Sequence, residues 1–277
     1  MPIIHAIILG LVQGLSEFLP ISSSGHLLLV PWLFKWHDFT GQPASFEKAF
    51  DVALHLGTLV AVVAYFWKDL VVYVRDGLRA VFHRDERATP HGRLAWLFVL
   101  GSIPAAIVGA IGSDFIERKL GRPVIIALSL IAFGLLLGWA DRLRGTKRLE
   151  DLDRNSALLI GAAQIIALNP GTSRSGITMT GGRMLGFSRD AAARISFLLA
   201  IPVTAGAVLF KMAKLVKDGV PSGFGGPLVV GVITAGVFGW LAVWGTLKLI
   251  RTRSFMPFVV YRVLLGVTVL IVAAVRG

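Results

Sequence analysis

The sequence has no cysteine and few charged residues. The absence of cysteine excludes a disulfide-stapled secreted scaffold, a thiolate nucleophile, a zinc–sulfur site and an iron–sulfur cluster. Charged residues make up 16% of the chain, against about 25% in a typical soluble domain. Hydrophobic residues instead account for 55% of the 277 positions, and the mean hydropathy is +0.74. This composition excludes intrinsic disorder and predicts an all-α polytopic membrane protein.

Long apolar runs are the dominant feature of the chain. Six of them are long enough, or nearly so, to cross a bilayer core, which needs about 17–25 helical residues. Apart from Asp51 near the start of the first run and Arg262 in the last, they are nearly free of charge. The predicted spanning helices cover residues 50–66, 94–112, 124–140, 193–210, 226–247 and 256–275.

Two further apolar segments, 3–34 and 157–182, are broken in the middle by proline, glycine and hydroxyl residues. The halves on either side of each break are too short to span a membrane. Proline and serine stop a helix and leave backbone groups unpaired, and such backbone survives at membrane depth only where protein or a wet cavity surrounds it. Both segments are therefore predicted to be re-entrant helical hairpins.

The two broken segments resemble each other. Gly10 and Gln13 recur as Gly161 and Gln164, 151 positions later, and a Ser-Gly pair keeps the same offset. Each hairpin is followed by three spans, so a second copy must be inverted relative to the first. The prediction is one integral membrane domain over 1–277, made of repeat one at about 1–140 and repeat two at about 157–277.

The distribution of lysine and arginine predicts the orientation. The segments on one side of the predicted spans hold 17 of these residues, and the segments on the other side hold 9. The richer side is expected to be cytoplasmic, which places both termini outside and makes the first hairpin enter from outside. Because the basic residues flank the spans, the net charge of +12 is assigned to orientation, and no nucleic-acid partner is expected.

Glu17 is the charged residue of the first broken segment, four positions after Gln13, so both face the same way on a helix. An ionised carboxylate inside a membrane costs at least about 2.5–3.5 kcal/mol on insertion scales. Two interpretations follow: an interfacial glutamate that reaches headgroups, or a carboxylate that handles a metal ion or a proton in a polar cavity.

The run Ser22-Ser-Ser-Gly-His26 follows Glu17 directly. Ser23 and His26 could form a nucleophile and base pair, and histidine is suited to proton transfer near neutral pH. The alternative is an ordinary polar loop. His55, in the first predicted span, is assigned to the core, and His83 and His91 to a solvated, charged loop over 67–93.

The second break carries Pro170-Gly-Thr-Ser-Arg-Ser-Gly-Ile-Thr178. An arginine deep in an apolar run needs an anionic partner, and the fork of Arg174 fits phosphate oxygens. Glycines bring backbone N–H groups close to a ligand, hydroxyls add donors, and a helix restarting here would favour an anion. The expected phosphate cradle comprises Gly171, Ser173, Arg174, Ser175, Gly176 and Thr178. The alternative is a structural Arg174–Glu17 pair that joins the hairpins.

Together the motifs resemble those of the bacterial undecaprenyl-diphosphatases, the bacitracin-resistance membrane phosphatases. The family pattern has Glu or Gln, three residues and Glu, and later Pro-Gly-x-Ser-Arg-Ser-x-x-Thr. Both parts are complete here, at Gln13 to Glu17 and at Pro170 to Thr178. The resemblance covers the full length, although many members carry Glu where this chain has Gln13.

The resemblance implies hydrolysis of undecaprenyl diphosphate to undecaprenyl phosphate and inorganic phosphate, which recycles the carrier lipid of cell-wall synthesis and gives bacitracin resistance. It implies a multi-pass protein of the bacterial plasma membrane, with the site facing the periplasm or outside and a divalent cation, Mg²⁺ or Ca²⁺, as cofactor. Carried over by position, the functional residues are Gln13, Glu17, Ser23, His26, Ser173, Arg174 and Thr178.

Three questions stay open at this level. Glu17, with Gln13, is expected to hold the metal ion, and His26 to activate either Ser23 or water, so a phosphoserine intermediate and direct hydrolysis are both allowed. A polyprenyl-phosphate transporter or flippase would use the same anion site. The expected partners are the lipid substrate and the bilayer, and formation of a homodimer is left open.

Overall fold

A computed structural model describes residues 1–42, 44–82 and 89–276. Eleven α-helices occupy the described residues, with one short 3₁₀ turn at Leu149–Asp151. The helices are α1 Ile3–Phe18, α2 Ser23–Phe34, α3 Ala44–Tyr65, α4 Trp67–Phe82, α5 Pro90–Leu120, α6 Pro123–Asp141, α7 Arg154–Ile166, α8 Arg174–Met184, α9 Arg189–Asp218, α10 Gly225–Ile250 and α11 Met256–Arg276.

Six helices of the described chain, α3, α5, α6, α9, α10 and α11, are long and apolar enough to cross a membrane. This confirms the six predicted spans. Two helices extend well past the predicted ends: α5 has 31 residues and α9 has 30. Their apolar windows, Pro90–Gly112 and Arg189–Ala213, end before the helices do, because hydropathy reports the length of the apolar run and not the helix end.

Residues 67–82 form helix α4, so the prediction of a loop over 67–93 is wrong for this part. The helix turns Tyr73, Asp76 and Gly77 inward and packs on α5, where the Trp96 indole N–H donates to the Gly77 carbonyl (3.0 Å). His91 is exposed, 3.8 Å from Asp76, and His83 lies outside the described residues.

Both apolar segments that were predicted to be broken are broken, at 19–22 and 167–173. The helices restart in the same way, on Ser22 and Ser173. Both serines have positive φ, +79° and +74°, a conformation that is uncommon for residues other than glycine. Each hydroxyl caps the new helix by accepting from the N–H of the residue three positions on, Gly25 or Gly176.

The helices before each break pack through glycines on a span of the other half of the chain: α1 lies on α10, and α7 lies on α5. A Cβ placed on Gly10 would lie 2.5 Å from the Gly231 carbonyl oxygen, and one on Gly161 would lie 1.9 Å from that of Gly101. Larger residues would therefore separate the backbones, which is the usual role of small residues between membrane helices.

Arg262 ties the two breaks together from α11. Its side chain is completely buried, and its guanidinium donates to carbonyls of both breaks, those of Pro20 (3.2 Å), Gly171 (2.9 Å) and Thr172 (2.9 Å). Its Nε also donates to the Leu130 carbonyl on α6 (3.1 Å). The irregular backbone thereby gains the hydrogen-bond partners that lipid cannot supply.

Candidate active site

Glu17 and Arg174 meet where the two broken segments touch. Glu17 lies in the last turn of α1, and Arg174 is the first residue of α8. One terminal nitrogen of the Arg174 guanidinium donates to Glu17 Oε1, and the other donates to Thr204 Oγ1 on α9 (2.6 Å). The Glu17 side chain is 5% exposed and the Arg174 side chain is 21% exposed. The structural Arg174–Glu17 pair, which the sequence allowed as an alternative to a phosphate cradle, is therefore present.

The second carboxylate oxygen of Glu17 collects three further contacts. Ser23 Oγ donates to it at 2.5 Å and Gln13 Nε2 at 3.1 Å, while His55 Nε2 lies 3.5 Å away. The partners of this one carboxylate come from α1, α2, α3 and α8. A carboxylate that accepts a serine hydroxyl hydrogen is placed to remove that proton.

The predicted Ser23–His26 pair is not formed, because both ring nitrogens of His26 have other partners. Nδ1 lies 2.7 Å from the Ser22 carbonyl oxygen, and since a carbonyl only accepts, Nδ1 carries the hydrogen. Nε2 lies 2.7 Å from the Tyr261 hydroxyl, and the two rings stack with an interplanar angle of 8°. His26 thus holds the start of α2 against α11, and Glu17 takes the place expected of it beside Ser23.

Most polar groups of the expected phosphate cradle are hydrogen-bonded to protein groups at the junction of the two broken segments. The Gly171 N–H donates to Ser22 Oγ (3.1 Å) and the Gly176 N–H donates to Ser173 Oγ (3.1 Å). These two N–H groups therefore already have protein partners, and the approach of other backbone N–H groups to a ligand at these glycines stays a prediction. A Cβ on Gly176 would lie 2.9 Å from Arg262 Nη1, so Gly176 makes room for that arginine.

The hydroxyls of the second motif are also paired. Ser175 donates to the Leu19 carbonyl of the first break (3.0 Å). The Thr178 hydroxyl donates to the Arg174 carbonyl (2.7 Å) and lies 2.7 Å from Ser196 Oγ. The groups left to meet a ligand are the Arg174 guanidinium, in exchange for its present contacts, and the backbone N–H groups of Arg174 and Ser175 at the start of α8, which helix geometry leaves without an intrahelical partner.

A narrow cleft lies beside Glu17 and Arg174, and in this structure it is too small to admit a water molecule. Thr58 and Thr204 are among its lining residues, and their hydroxyls are bound to the His55 carbonyl and to Arg174. Its remaining walls are apolar, formed by Phe18, Leu59, Val62 and Ala200. If the cleft widened, an anion in it would meet the Arg174 cation inside apolar walls, where electrostatic attraction is stronger than in water.

Two residues of this site were missed by the sequence reasoning. His55 was assigned to the core, but its side chain is 25% exposed and faces Glu17, while its Nδ1 is held by the Asp51 carbonyl (2.8 Å). Thr204 binds Arg174 from α9, and nothing in its sequence context marks it. The signal for His55 was its position as a polar residue inside a predicted span.

The residues around Glu17 offer few ligands for the expected divalent cation. Among the described residues, no group of three or more His, Cys, Asp or Glu side chains could hold a metal. However, Gln13 Oε1 is buried without a hydrogen-bond partner, and the same amide is bound to Glu17. Mg²⁺ is commonly held by one or two carboxylates together with substrate phosphates. Glu17 and Gln13 supply carboxylate and amide oxygens of the kind that such an ion prefers, although Gln13 turns its Nε2 and not its Oε1 toward Glu17.

Six candidate spans around a buried, charged junction of two broken helices define a multi-pass membrane protein. The family model described as bacitracin resistance protein BacA matches residues 6–268. A relative named undecaprenyl-diphosphatase from Geobacter metallireducens is 50% identical over 273 residues, 97% of each chain. One of the same name from Moorella thermoacetica is 44% identical over 277 residues, 100% of each. The chain belongs to the bacitracin resistance protein BacA family.

Proposed function

We propose that this protein hydrolyses undecaprenyl diphosphate to undecaprenyl phosphate and inorganic phosphate. The relatives that match its whole length carry the name undecaprenyl-diphosphatase. The observation that carries the proposal is the single carboxylate of Glu17, which binds the Ser23 hydroxyl on one oxygen and Arg174 on the other. A nucleophile, its base and a phosphate-binding cation thus share one cluster.

In this proposal the cleft beside Arg174 widens to admit the diphosphate while the polyprenyl tail stays in lipid. The Arg174 fork exchanges part of its contact with Glu17 for phosphate oxygens, which it can bind in a bidentate manner. The start of α8 adds the positive end of its helix dipole. Once Arg174 turns to the substrate, Glu17 loses a cationic partner and becomes a better proton acceptor.

The proposed first step is attack of Ser23 Oγ on the terminal phosphorus. The Oγ–P bond forms, the anhydride P–O bond breaks with undecaprenyl phosphate as leaving group, and the Ser23 proton moves to Glu17. Glu17 then passes that proton through His55 to the cleft and is again a carboxylate. In the second step, water attacks the phosphoserine and Glu17 takes a proton from it; the Oγ–P bond breaks, the proton goes from Glu17 to Ser23 Oγ, and inorganic phosphate leaves. His55, 3.5 Å from Glu17, is placed to pass protons between Glu17 and the cleft.

Gln13 and Glu17 would hold the divalent cation, Mg²⁺ or Ca²⁺, through their side-chain oxygens. Such an ion polarises phosphoryl oxygens and offsets the charge that develops on them. His26 is proposed as a positioning residue: it fixes Ser22, whose hydroxyl both caps α2 and binds the second break. Ser173, Ser175, Thr178, Gly171 and Gly176 are proposed to keep Arg174 in place.

We further propose that the two halves are inverted repeats and that the broken segments are re-entrant. Three observations support this: the matching serine caps, the reciprocal packing of α1 on α10 and α7 on α5, and the contact between the two breaks. Because the chain has no cysteine, single cysteines can be labelled cleanly. An impermeant maleimide added to intact cells should label exposed Lys35→Cys and Ser222→Cys, but not Thr146→Cys. The opposite labelling pattern would reverse the predicted orientation. If Lys35→Cys and Ser222→Cys lay on different sides of the membrane, the second broken segment would not be a re-entrant hairpin.

The test of function is phosphate release from undecaprenyl diphosphate by purified protein in detergent. Release should require Mg²⁺ or Ca²⁺ and stop with EDTA. Arg174→Ala should lose about 10²–10³-fold in kcat, the range for removing one transition-state donor. Arg194→Ala, which removes a similarly half-buried arginine paired with Asp190, is the matched control. Lipid translocation without any phosphate release from folded protein would favour the transporter alternative.

A further inference from the structure

A second polar cavity lies away from the junction, where α6, α8 and α10 end and α9 begins. Its volume is about 520 Å³. Arg183, which lines the cavity, lies nine residues after Arg174 on α8, or about 13 Å away at the helical rise. Five arginines line it: Arg142, Arg144, Arg183, Arg189 and Arg251. None of them takes part in the proposed hydrolysis.

The acidic residues of this cavity are already engaged. Asp141 accepts from Arg189 Nε (2.5 Å) and from the Phe255 N–H (3.0 Å). Asp190 accepts from Arg194 (2.9 Å) and from Arg251 (3.1 Å). With five arginines and two aspartates on its walls, the cavity keeps an excess of positive charge, and the exposed Arg142 and Arg144 contribute to that excess.

Arg183 forms a buried part of the cavity wall. It is 4% exposed, and its terminal nitrogens donate to the Phe187 carbonyl (2.6 Å) and the Leu143 carbonyl. Its Nε is buried without a hydrogen-bond partner, which is unusual for a charged donor. Ser188 also lines the cavity and caps the 30-residue helix α9, so the positive end of that helix dipole points to the same place.

Two exposed tryptophans lie near the ends of α6 and α10, the two spans whose ends border the cavity. Trp139, two residues before the end of α6, is 51% exposed, and Trp244, one to two turns before the end of α10, is 45% exposed. Exposed tryptophans near span ends mark the membrane interface. Basic pockets between membrane helices on the basic side of a protein bind the headgroups of anionic lipids.

We infer that this cavity binds the phosphate of an anionic membrane lipid, held by the exposed Arg142 and Arg144, with the buried charge of Arg183 in the wall behind them. The same chemistry would accept free inorganic phosphate, but the interfacial tryptophans favour a lipid. The inference is independent of the proposed hydrolysis, since the two sites share no residue.

The test is lipid binding by native mass spectrometry, with the full-length protein in nanodiscs of phosphatidylcholine containing phosphatidylglycerol. The double variant Arg142→Gln/Arg144→Gln removes two exposed arginines that line the cavity. The control Arg154→Gln/Arg253→Gln removes two exposed arginines outside its walls. With about 1 kcal/mol per basic residue near an anionic surface, phosphatidylglycerol retention should fall about 10-fold or more in the first variant and remain near wild type in the control.

Two results would overturn the inference. Equal loss in both variants would mean diffuse attraction to surface charge and no site. Binding of inorganic phosphate that depends on Arg142 and Arg144, without retention of phosphatidylglycerol, would assign the cavity to free phosphate. Phosphate release from undecaprenyl diphosphate, measured in parallel in detergent, should stay within about twofold of wild type in all variants, because the cavity is separate from Glu17.

Discussion

The guanidinium of Arg174 is bound to the carboxylate of Glu17, although the two residues are 157 positions apart in the sequence. Each lies at a helix end created by a break, one in each half of the chain. Breaking a buried pair of this kind leaves an uncompensated charge, so the pair is stable until another anion competes for the arginine. A diphosphate is such an anion, and its arrival would release Glu17 to act on Ser23.

Ser23→Ala should abolish turnover, because it removes the proposed nucleophile. Ser24→Ala is the matched control: Ser24 is the next residue and is half-buried like Ser23, but it is Ser23 that donates to Glu17. Substrate labelled with ³²P in its terminal phosphate should label wild type and Ser24→Ala after acid quench, and leave Ser23→Ala unlabelled. A fully active Ser23→Ala would replace the phosphoserine route by direct attack of water.

Gln13→Glu should strengthen metal binding. It would place a second carboxylate beside Glu17, and divalent-cation affinity rises with the number of charged ligands. Gln164→Glu is the control, because Gln164 occupies the matching place in the other half of the chain. Its Oε1 is likewise buried and unpaired, but its Nε2 donates to the Gly101 carbonyl and not to a carboxylate. The Mg²⁺ concentration for half-maximal phosphate release should fall severalfold only in Gln13→Glu. An unchanged Mg²⁺ requirement would remove Gln13 from the metal site.

His55→Asn should lower kcat by about 10²-fold with little change in KM, the lower end of the range for general acid–base groups. His5→Asn is its control, since His5 also pairs with a carboxylate, that of Asp38 at 2.7 Å, but lies outside the cleft. The measurement is a pH profile of kcat for both variants. If the His55→Asn profile and rate matched those of the wild type, His55 would have no part in proton transfer.

Arg262→Leu should destabilise the fold by several kcal/mol, because each buried carbonyl left without a donor costs about 1–3 kcal/mol. Arg276→Leu, on the same helix, removes an exposed arginine that also donates to two carbonyls, those of Trp32 and Leu33. Thermal unfolding in detergent should show a large drop for the first variant and a small one for the second. Equal midpoints would mean that Arg262 does not hold the breaks together.

Much of the architecture could be predicted because its signals are local. Apolar length fixes the spans, and proline, glycine and serine mark the breaks. The Arg174–Glu17 pair could be considered in advance because each charge is isolated in an apolar segment and needs a partner.

The errors came from pairings that only the tertiary structure decides. His26 is only three positions from Ser23 in the sequence, yet its ring is held by Tyr261, 235 positions away from His26. The N–H of Gly171 is committed to Ser22, across the junction. Helix α4 was missed because lysine and arginine between its apolar residues made 67–93 look like a charged loop. Its exposed apolar residues Val71, Val74, Leu78 and Val81 recur every three to four positions, which is the spacing of an amphipathic helix.

The most direct test of the account is phosphate release by Glu17→Gln compared with wild type, both purified, folded and supplied with Mg²⁺ and undecaprenyl diphosphate. Glutamine keeps the size of Glu17 and can still accept from Ser23, but it cannot take up the Ser23 proton. The account predicts a fall in kcat of about 10²–10⁴-fold, the range for a general base. Wild-type turnover in Glu17→Gln would contradict it, because the carboxylate on which every proposed step depends would then be dispensable.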